Sequence, residues 1–550
     1  MFDFTHKSMQ AVPTSPSKKW QLLAATFMLL FTILASGCST NLPALFSTTA
    51  DVASTAQTIH IYLPEEVDSL TEIADAFEEQ TKDTLNIQLE FHTVSEAEYY
   101  KEIDLLLSLG EDIDLIYTSP SLNLSSLISN NQLLSLDDYF NNPDYPGLYA
   151  TFSETDIEAN LYDDVLYGLP LSNGYTEICG VIYRQDLLEA ANLGFTQITN
   201  AEELLAYSDY IYQSNLGISA LGLTSDGFCY TFEQTIDALE ANIYTVPGYS
   251  TQSVPMTVVL SEDQRTVEAV LFLGDDLSLY ESLSGNVQYD FMAAHYFENV
   301  TLNQYVQPNS ILTASSVELL MAGSVAAIQS TLDHGTISLQ NTLQQTVPGA
   351  TLSFYPYDTA LLSEDIADGS LLSSMRAESY LCIPASSENV DATIAFLDWL
   401  YTSQENSDLF SYGVEGLDWQ ADSEGNVLLL ENESYTYYPC YLLTLSDTYN
   451  RTLSGVSEWE LQFIEIQHDE TLYSKSPLSD FLLDTTYISS EMVQLQNLYS
   501  EYALQLNAGS YGEETAEIIA EIGERAATSG IEAVRSEIKK QVQLFLNAQN

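Results

Sequence analysis

The sequence predicts an α/β chain folded as two lobes, each a mainly parallel sheet flanked by helices, with hinge crossings between them. Three observations lead there. Between residues 59 and 117, short alternating apolar runs exchange with helical periodicity, the rhythm of parallel βαβ units. The stretch Tyr167–Leu188, YGLPLSNGYTEICGVIYRQDLL, packs an apolar piece, a turn, a second apolar run and a helix start into 22 residues, as a chain crossing between lobes requires. A length of 550 residues also favours more than one domain.

At the N-terminus, Lys18-Lys19 precede an apolar run from Trp20 to Ala35 that closes at Leu34-Ala35-Ser36-Gly37-Cys38. A basic start, an apolar stretch of this length and small residues before a cleavage point describe a secretory signal peptide over 1–37. The alternative is an uncleaved anchor helix, but the run ends in small residues rather than in positive charges. Met1 and Met9 both fit as the start. Residues 38–57 are rich in Ser, Thr and Ala and read as a flexible tether.

Charge narrows the function classes. Lys and Arg number 14 against 79 Asp and Glu, a net charge of −65, so no basic patch exists to neutralise phosphates and nucleic acid is excluded as a partner. Removing residues 1–37 deletes three Lys and one Asp, which leaves 11 basic and 78 acidic residues. Such a chain is repelled by anionic membranes and needs a covalent lipid to stay beside one. The remaining cysteines, Cys179, Cys229, Cys382 and Cys440, form no CxxC or other metal spacing. Export permits disulfides, yet Cys179 and Cys382 sit inside apolar runs and read as free thiols.

The first lobe opens with a strand at Ile59, Ile61 and Leu63, ending at Pro64-Glu65-Glu66. Leu70, Ile73, Ala74 and Phe77 then fall on one helical stripe, and Ile87, Leu89 and Phe91 alternate as a second strand. A helix through Tyr99, Ile103, Leu106 and Leu107 stops at Gly110 and yields to a strand over Ile113–Tyr117. In open sheets, ligands lie beyond the carboxyl ends of the strands. The loops concerned are Pro64–Glu66, His92–Val94 and Tyr117–Pro120, which makes Glu65, Tyr117 and Ser119 candidate ligand groups.

At this point YLPEEVDSLTEIADAFEEQ, SLGEDIDLIYTS, LLSLDDYF and YGLPLSNG…VIYRQDLL together resemble the extracellular solute-binding proteins of ABC-type sugar importers, the maltose-binding-protein-like family 1. LLMAGSVAAIQSTLDHG, the segment from Ile383 to Trp419 and the C-terminal helices are similar to later parts of the same family, in a Gram-positive lipoprotein branch. Ala-Ser-Gly-Cys38 likewise resembles a lipobox, which implies that Cys38 carries the acyl chains, palmitate among them. The resemblance implies the two-lobed, type II periplasmic-binding-protein-like fold. It divides the chain into 58–172 with 352–412 as first lobe, and 173–351 with 413–550 as second.

On that division, the chain crosses near Ser172–Val181, which brings Asn173 and Tyr175 to the cleft. A helix follows over Ala201–Gln213, and Phe228, Tyr230 and Phe232 alternate beyond it. Singly these aromatics suit half-buried packing; together Phe228 and Tyr230 offer a platform for a sugar face. Residues 243–315 are expected to form loops and helices elaborating the second lobe. Val325–Ile328 is a buried strand whose following loop brings Gln329, Asp333 and His334 to the cleft, His334 having a structural alternative as a packed histidine. Leu352–Pro356 is expected to cross back, and Arg376, just upstream of a predicted inter-lobe strand, is the basic member of the candidate ligand set. Ile394, Leu397 and Tyr401 mark a core helix with Trp399 packing at its edge. Glu415 and Trp419 complete the implied ligand set, Glu424-Gly425-Asn426 a hairpin turn. The last helix docks through Ile531, Val534, Ile538, Val542 and Phe545.

No catalytic constellation stands out. The six His include no HExxH and no pair at metal-ligand spacing, and GxSxG and the P-loop are absent. No cofactor and no metal are expected. The expected function is therefore that of a lipid-anchored, extracytoplasmic monomer. It captures a carbohydrate, an oligosaccharide above all, in the inter-lobe cleft and delivers it to the permease subunits of an ABC transporter. The alternative is an exported glycan-acting hydrolase or surface adhesin on the same scaffold, which two carboxylates facing each other across the cleft would betray.

Overall fold

A computed structural model describes residues 56–549 apart from 65–69, 121–122, 163, 173, 224–241, 248–253, 282, 284–290, 307–314, 333, 364, 431–440 and 445–447. The signal peptide, Cys38 and nearly all of the tether thus lie outside the described residues. In chain order come β1 (Gln57–Leu63), α1 (Leu70–Thr81), β2 (Ile87–Thr93), α2 (Glu96–Leu109), β3 (Leu115–Thr118), α3 (Glu154–Ala159) and β4 (Leu169–Leu171). Next are β5 (Cys179–Arg184), α4 (Gln185–Ala191), α5 (Ala201–Gln213), β6 (Ser219–Gly222), β7 (Ile243–Tyr244), β8 (Met256–Leu260), β9 (Val267–Phe272) and α6 (Phe291–Leu302). β10 (Val325–Thr331), β11 (Leu352–Pro356), β12 (Leu371–Ser373), β13 (Ser379–Cys382), α7 (Val390–Leu400) and α8 (Gln404–Tyr412) follow. The chain ends through β14 (Trp419–Ala421), β15 (Val427–Leu429), α9 (Glu458–His468), β16 (Tyr473–Lys475), α10 (Ser489–Asn507), α11 (Thr515–Thr528) and α12 (Ile531–Gln549).

Alternation along β1 turns Ile59, Ile61 and Leu63 to one face, where the stripe Leu70, Ile73, Ala74 and Phe77 of α1 covers them. Phe77 meets the edges of Phe396 and Trp399 at 5.4 and 4.9 Å between ring centres, so Trp399 packs, as its place on the stripe predicts. α2 stops where Gly110 takes φ 71° and the N–H groups of Gly110 and Glu111 reach back to the Leu107 and Leu106 carbonyls.

Two sheets organise this part of the molecule, β2-β1-β3-β13-β4 and β11-β5-β10-β6. In each, every strand but one points the same way. β13 runs against β3 and β4, and β5 runs against β10 and β11. The reversed strands are those that the chain reaches by crossing. It leaves the first sheet at the carboxyl end of β4 and enters the second through β5. It leaves the second at the carboxyl end of β11 and returns, by way of β12, through β13. A chain departing from a carboxyl end must enter the neighbouring sheet running away from it. The carboxyl ends of the other strands therefore face the crossings.

Two expectations need correcting. Leu352–Pro356 is not the return to the first lobe but β11 of the second sheet, in register with β5 and with Phe354 and Tyr355 buried on its opposite faces. Residues 243–315 are not loops and helices alone: β7, β8 and β9 pair antiparallel as a separate three-stranded sheet. Val258, Val270 and Phe272 of that sheet share a core with Leu495 and Tyr499 of α10, Ile522 of α11 and Val534, Ile538 and Val542 of α12. The approach is close: a Cβ on Gly523 of α11 would stand 2.0 Å from the Gly274 carbonyl oxygen, so only glycine fits. The expected face of α12 holds at Ile531, Val534, Ile538 and Val542. Leu546 is its fifth fully buried member, while Phe545 is half-buried against Phe481. Arg535 grips Asp275 with two hydrogen bonds of 2.6 and 2.9 Å and pins α12 to the turn after β9.

Candidate functional site

The first sheet offers its strand ends through β3. Tyr99 of α2 donates to the carbonyls of Tyr62 and Tyr117 at 2.8 and 3.1 Å, and accepts from the Tyr117 N–H at 3.0 Å, which fixes the end of β3 against β1. Thr118 donates to Asn123 at 2.7 Å and steers the loop that follows. Tyr117 is half-buried between two apolar clusters, and Ser119 is buried at the strand's end.

The outgoing crossing is clamped. Ser172 donates from its hydroxyl to the Gly174 carbonyl at 2.7 Å, and Gly174 takes φ 81°. A Cβ there would stand 2.6 Å from the Gln467 carbonyl oxygen. Gln467, near the end of α9, accepts the Tyr175 N–H at 2.8 Å and donates its amide to the Thr176 carbonyl at 2.9 Å. The other end of α9 is anchored too: Glu460 closes a capping box with Ser457 and accepts the Thr336 N–H at 3.0 Å. One helix thus braces both the loop after β10 and the first crossing. Tyr175 lays its ring beside Tyr473, 5.6 Å between centres, and its carbonyl accepts from Ser373.

The returning crossing is clamped by Arg376. Its guanidinium donates to the carbonyls of Ala159 and Leu161 at 2.9 and 2.5 Å, lies over the Tyr162 ring at 4.2 Å, and faces Asp480 at 3.4 Å. Its role is to hold the crossing to α3 and the segment beyond it. Asn160 reinforces this by accepting from the Ala377 N–H at 2.9 Å and the Tyr380 hydroxyl at 2.6 Å. A cavity of about 340 Å³ opens between the crossings, with Asp156, Asn160, Ser172, Tyr175, Met375 and Arg376 among its lining residues.

On the second sheet, the Gln329 amide donates to the Tyr357 hydroxyl at 2.5 Å, joining the carboxyl ends of β10 and β11 over β5. His334 is buried near His468, and that burial, helped by His468, pushes its pKa down to about 3. It is a neutral packed histidine rather than an open ligand group. Trp419, 3 % exposed, donates to the Gly413 carbonyl at 3.1 Å and lies under Arg451, at the centre of the β14–β15 hairpin cluster. Glu415 is exposed beside that hairpin.

Of the expected ligand groups, Tyr175 and Arg376 meet at one cavity, and Gln329 stands at a strand end facing the crossings. Glu65, Asn173, Phe228 and Tyr230, together with Asp333, lie outside the described residues. Sequence reasoning missed Tyr357, Asn160 and Gln467. Their signal is positional only, since each polar side chain closes a contact with a segment distant in sequence. As for paired acids, burial pushes the Asp398 carboxyl upward, but that group accepts from the Gly147 and Leu148 N–H groups and caps the helix Pro146–Thr151. Among the described residues, no helix is long and apolar enough to cross a membrane.

Comparison with known proteins adds the following. Residues 63–407 match the family model described as bacterial extracellular solute-binding protein, and residues 477–547 match a domain of unknown function, DUF3502. No protein of curated function matches the sequence. The fold is similar to that of the N-glycan transport solute binding protein (NgtS) from Streptococcus pneumoniae, at a TM-score of 0.70 and 16 % identity, covering 90 % of this chain and 100 % of that one. The same protein in complex with Man1GlcNAc gives 0.65 at 16 % identity over 89 % and 100 %. In complex with Man5GlcNAc it gives 0.60 at 16 % identity over 90 % and 99 %.

Proposed function

Because the chain belongs to the bacterial extracellular solute-binding proteins, matched over residues 63–407, we propose that it is a receptor outside the cell, lipid-anchored through Cys38. It captures a neutral oligosaccharide between its two sheets and delivers it to the permease of an ABC transporter. The observation that carries this reading is the direction of the strands. The carboxyl ends of β1, β3 and β4 on one side, and of β6, β10 and β11 on the other, face common crossings. A solute held there bridges two lobes, and it favours the closed arrangement only by touching both.

An oligosaccharide fits best. Similar structures carry a mannose–N-acetylglucosamine glycan. Sugar hydroxyls want carboxylates, amides and hydroxyls, and their C–H faces want aromatic rings. Tyr117, Ser119, Tyr175 and Gln329 supply both kinds, and Glu65, Asn173, Phe228 and Tyr230, which follow β1, β4 and β6 in the sequence, are the further candidates. Arg376, His334 and Trp419 stay out of this set because the fold already occupies them. An acidic sugar would need a free cation, and Arg376 is held by carbonyls.

The test is calorimetric titration with a panel of neutral oligosaccharides and uronic-acid oligomers, with chromatography of the sugars recovered from the same cells. Stoichiometric binding of an intact neutral sugar is expected; cleavage of the sugar, or binding of the uronic oligomers alone, contradicts the reading. Radiolabelled palmitate incorporated by the wild type and not by Cys38→Ser tests the anchor.

A further inference from the structure

We propose that His60, Glu90 and His92 form a binding site for a divalent transition-metal ion of the zinc class, at the edge of the first sheet and on the face opposite Ile59 and Ile61. The site follows from strand register. β1 and β2 are parallel with His60 opposite Glu90 and Tyr62 opposite His92. Ile59 and Ile61 face one core, so His60 and Tyr62 take the opposite face, where Tyr62 packs against the cluster of Tyr99 and Ile103 and His60 stays partly exposed. Period 2 on β2 sends Glu90 and His92 to the same side. Two histidines 32 positions apart, which show no ligand spacing along the chain, become neighbours once the strands pair.

The three side chains converge, with one ligand atom from each lying within 4.8 Å of the other two. His60 Nδ1 lies 3.2 Å from His92 Nε2. The Glu90 carboxylate lies 3.7 Å from His60 Nδ1 and 3.5 Å from His92 Nε2, through its two different oxygens. A tetrahedral ion with bonds of about 2.0–2.1 Å has ligand-to-ligand edges of about 3.4 Å. The ring nitrogens already stand near that separation, and a single Glu90 oxygen, now within 4.8 Å of both, must draw in toward them to complete the set. Both ring nitrogens cannot carry protons at this separation, and an ion takes the place of the one that does.

The surroundings suit a cation. Glu90, Glu102, Glu111 and Asp112 all lie near enough to Tyr62 to act on its hydroxyl, so the field there is negative. Tyr62 stacks on His92 at 4.4 Å and 16° and fixes the plane of its ring. The His60, His92 and Glu90 side chains are 25, 31 and 56 % exposed, so an ion arrives from solvent and keeps a position for water. Two imidazoles and one carboxylate select zinc, nickel or copper over calcium and magnesium, which prefer all-oxygen sets. β2 is the edge of its sheet, and a bound ion would staple that edge to its neighbour.

The test uses the untagged chain beginning at Ser39, stripped with chelator and titrated with Zn²⁺ at pH 7 in excess Ca²⁺, which occupies surface carboxylates. Expected are one Zn²⁺ per chain, a visible spectrum of tetrahedral Co²⁺ on substitution, and a thermal midpoint that rises with Zn²⁺. His60→Gln and His92→Gln should each weaken binding at least tenfold and abolish the Co²⁺ spectrum. Glu90→Gln, at an exposed position where folding is not at risk, should weaken it several-fold. Stoichiometry and affinity unchanged in Glu90→Gln and in either histidine variant would overturn the site, as would the absence of stoichiometric binding by the wild type.

Discussion

The Gln329 amide and the Tyr357 hydroxyl meet at 2.5 Å above β5, linking two strands that do not pair with each other. The link sets the spacing of two carboxyl ends at the edge where the proposed ligand sits. Removing the hydroxyl with Tyr357→Phe should cost about 1 kcal/mol of stability, the usual net worth of such a bond. Denaturant titration reads it. A loss below experimental error would show that the two ends are held by other means.

Gly174 tests the clamp on the outgoing crossing. Gly174→Ala meets both a left-handed backbone at φ 81° and the Gln467 carbonyl 2.6 Å from the new Cβ. The conformation alone should cost about 1–2 kcal/mol. Stability should fall by at least that much and solute affinity should weaken with it, because the turn positions Tyr175. Wild-type stability in the variant would mean that the crossing is free of α9.

The Arg535–Asp275 pair tests the C-terminal core. Its side chains are 15 and 7 % exposed, so removing one partner strands a buried charge. Asp275→Ala should destabilise the β7–β9 sheet with α10–α12 by about 3–5 kcal/mol. Hydrogen exchange should localise the loss to those elements. A uniform or negligible change contradicts the pairing.

His334 makes stability pH-dependent in a defined window. The fold holds the ring neutral, with a pKa pushed from 6.5 down to about 3. Above pH 6.5 neither the folded nor the unfolded chain binds that proton, and the contribution is fully present. As pH falls below 6.5 the unfolded chain takes up the proton while the folded chain does not. Stability is then lost at up to about 1.4 kcal/mol per pH unit until pH approaches 3. Comparing wild type with His334→Gln between pH 7 and 5 isolates this slope from that of the many carboxylates. Equal slopes would place His334 in water.

The parts of the fold legible in the sequence are those in which chemistry repeats locally. Ile59, Ile61 and Leu63, the stripe ending at Phe77, and Gly110 each declare their element within a few residues. The crossing at Ser172–Gly174 is legible for the same reason. What escaped reading depends on distant partners. β13 is four residues, SYLC, with no alternation to mark it, and only its pairing with β3 and β4 gives it a place. β9 and α12 share a core although Val270 and Arg535 stand 265 positions apart. Arg376 reads in the sequence as a candidate ligand group because its acceptors, the Ala159 and Leu161 carbonyls, lie more than 200 positions earlier. His60 and His92 looked scattered for the same reason.

Small-angle scattering of the chain from Ser39 onward, with and without a saturating oligosaccharide chosen by titration, tests the two-lobed capture of a solute most directly. The radius of gyration should shrink on binding, as two bodies close over a shared ligand. A curve that superimposes on the free protein's, at full occupancy, would contradict closure.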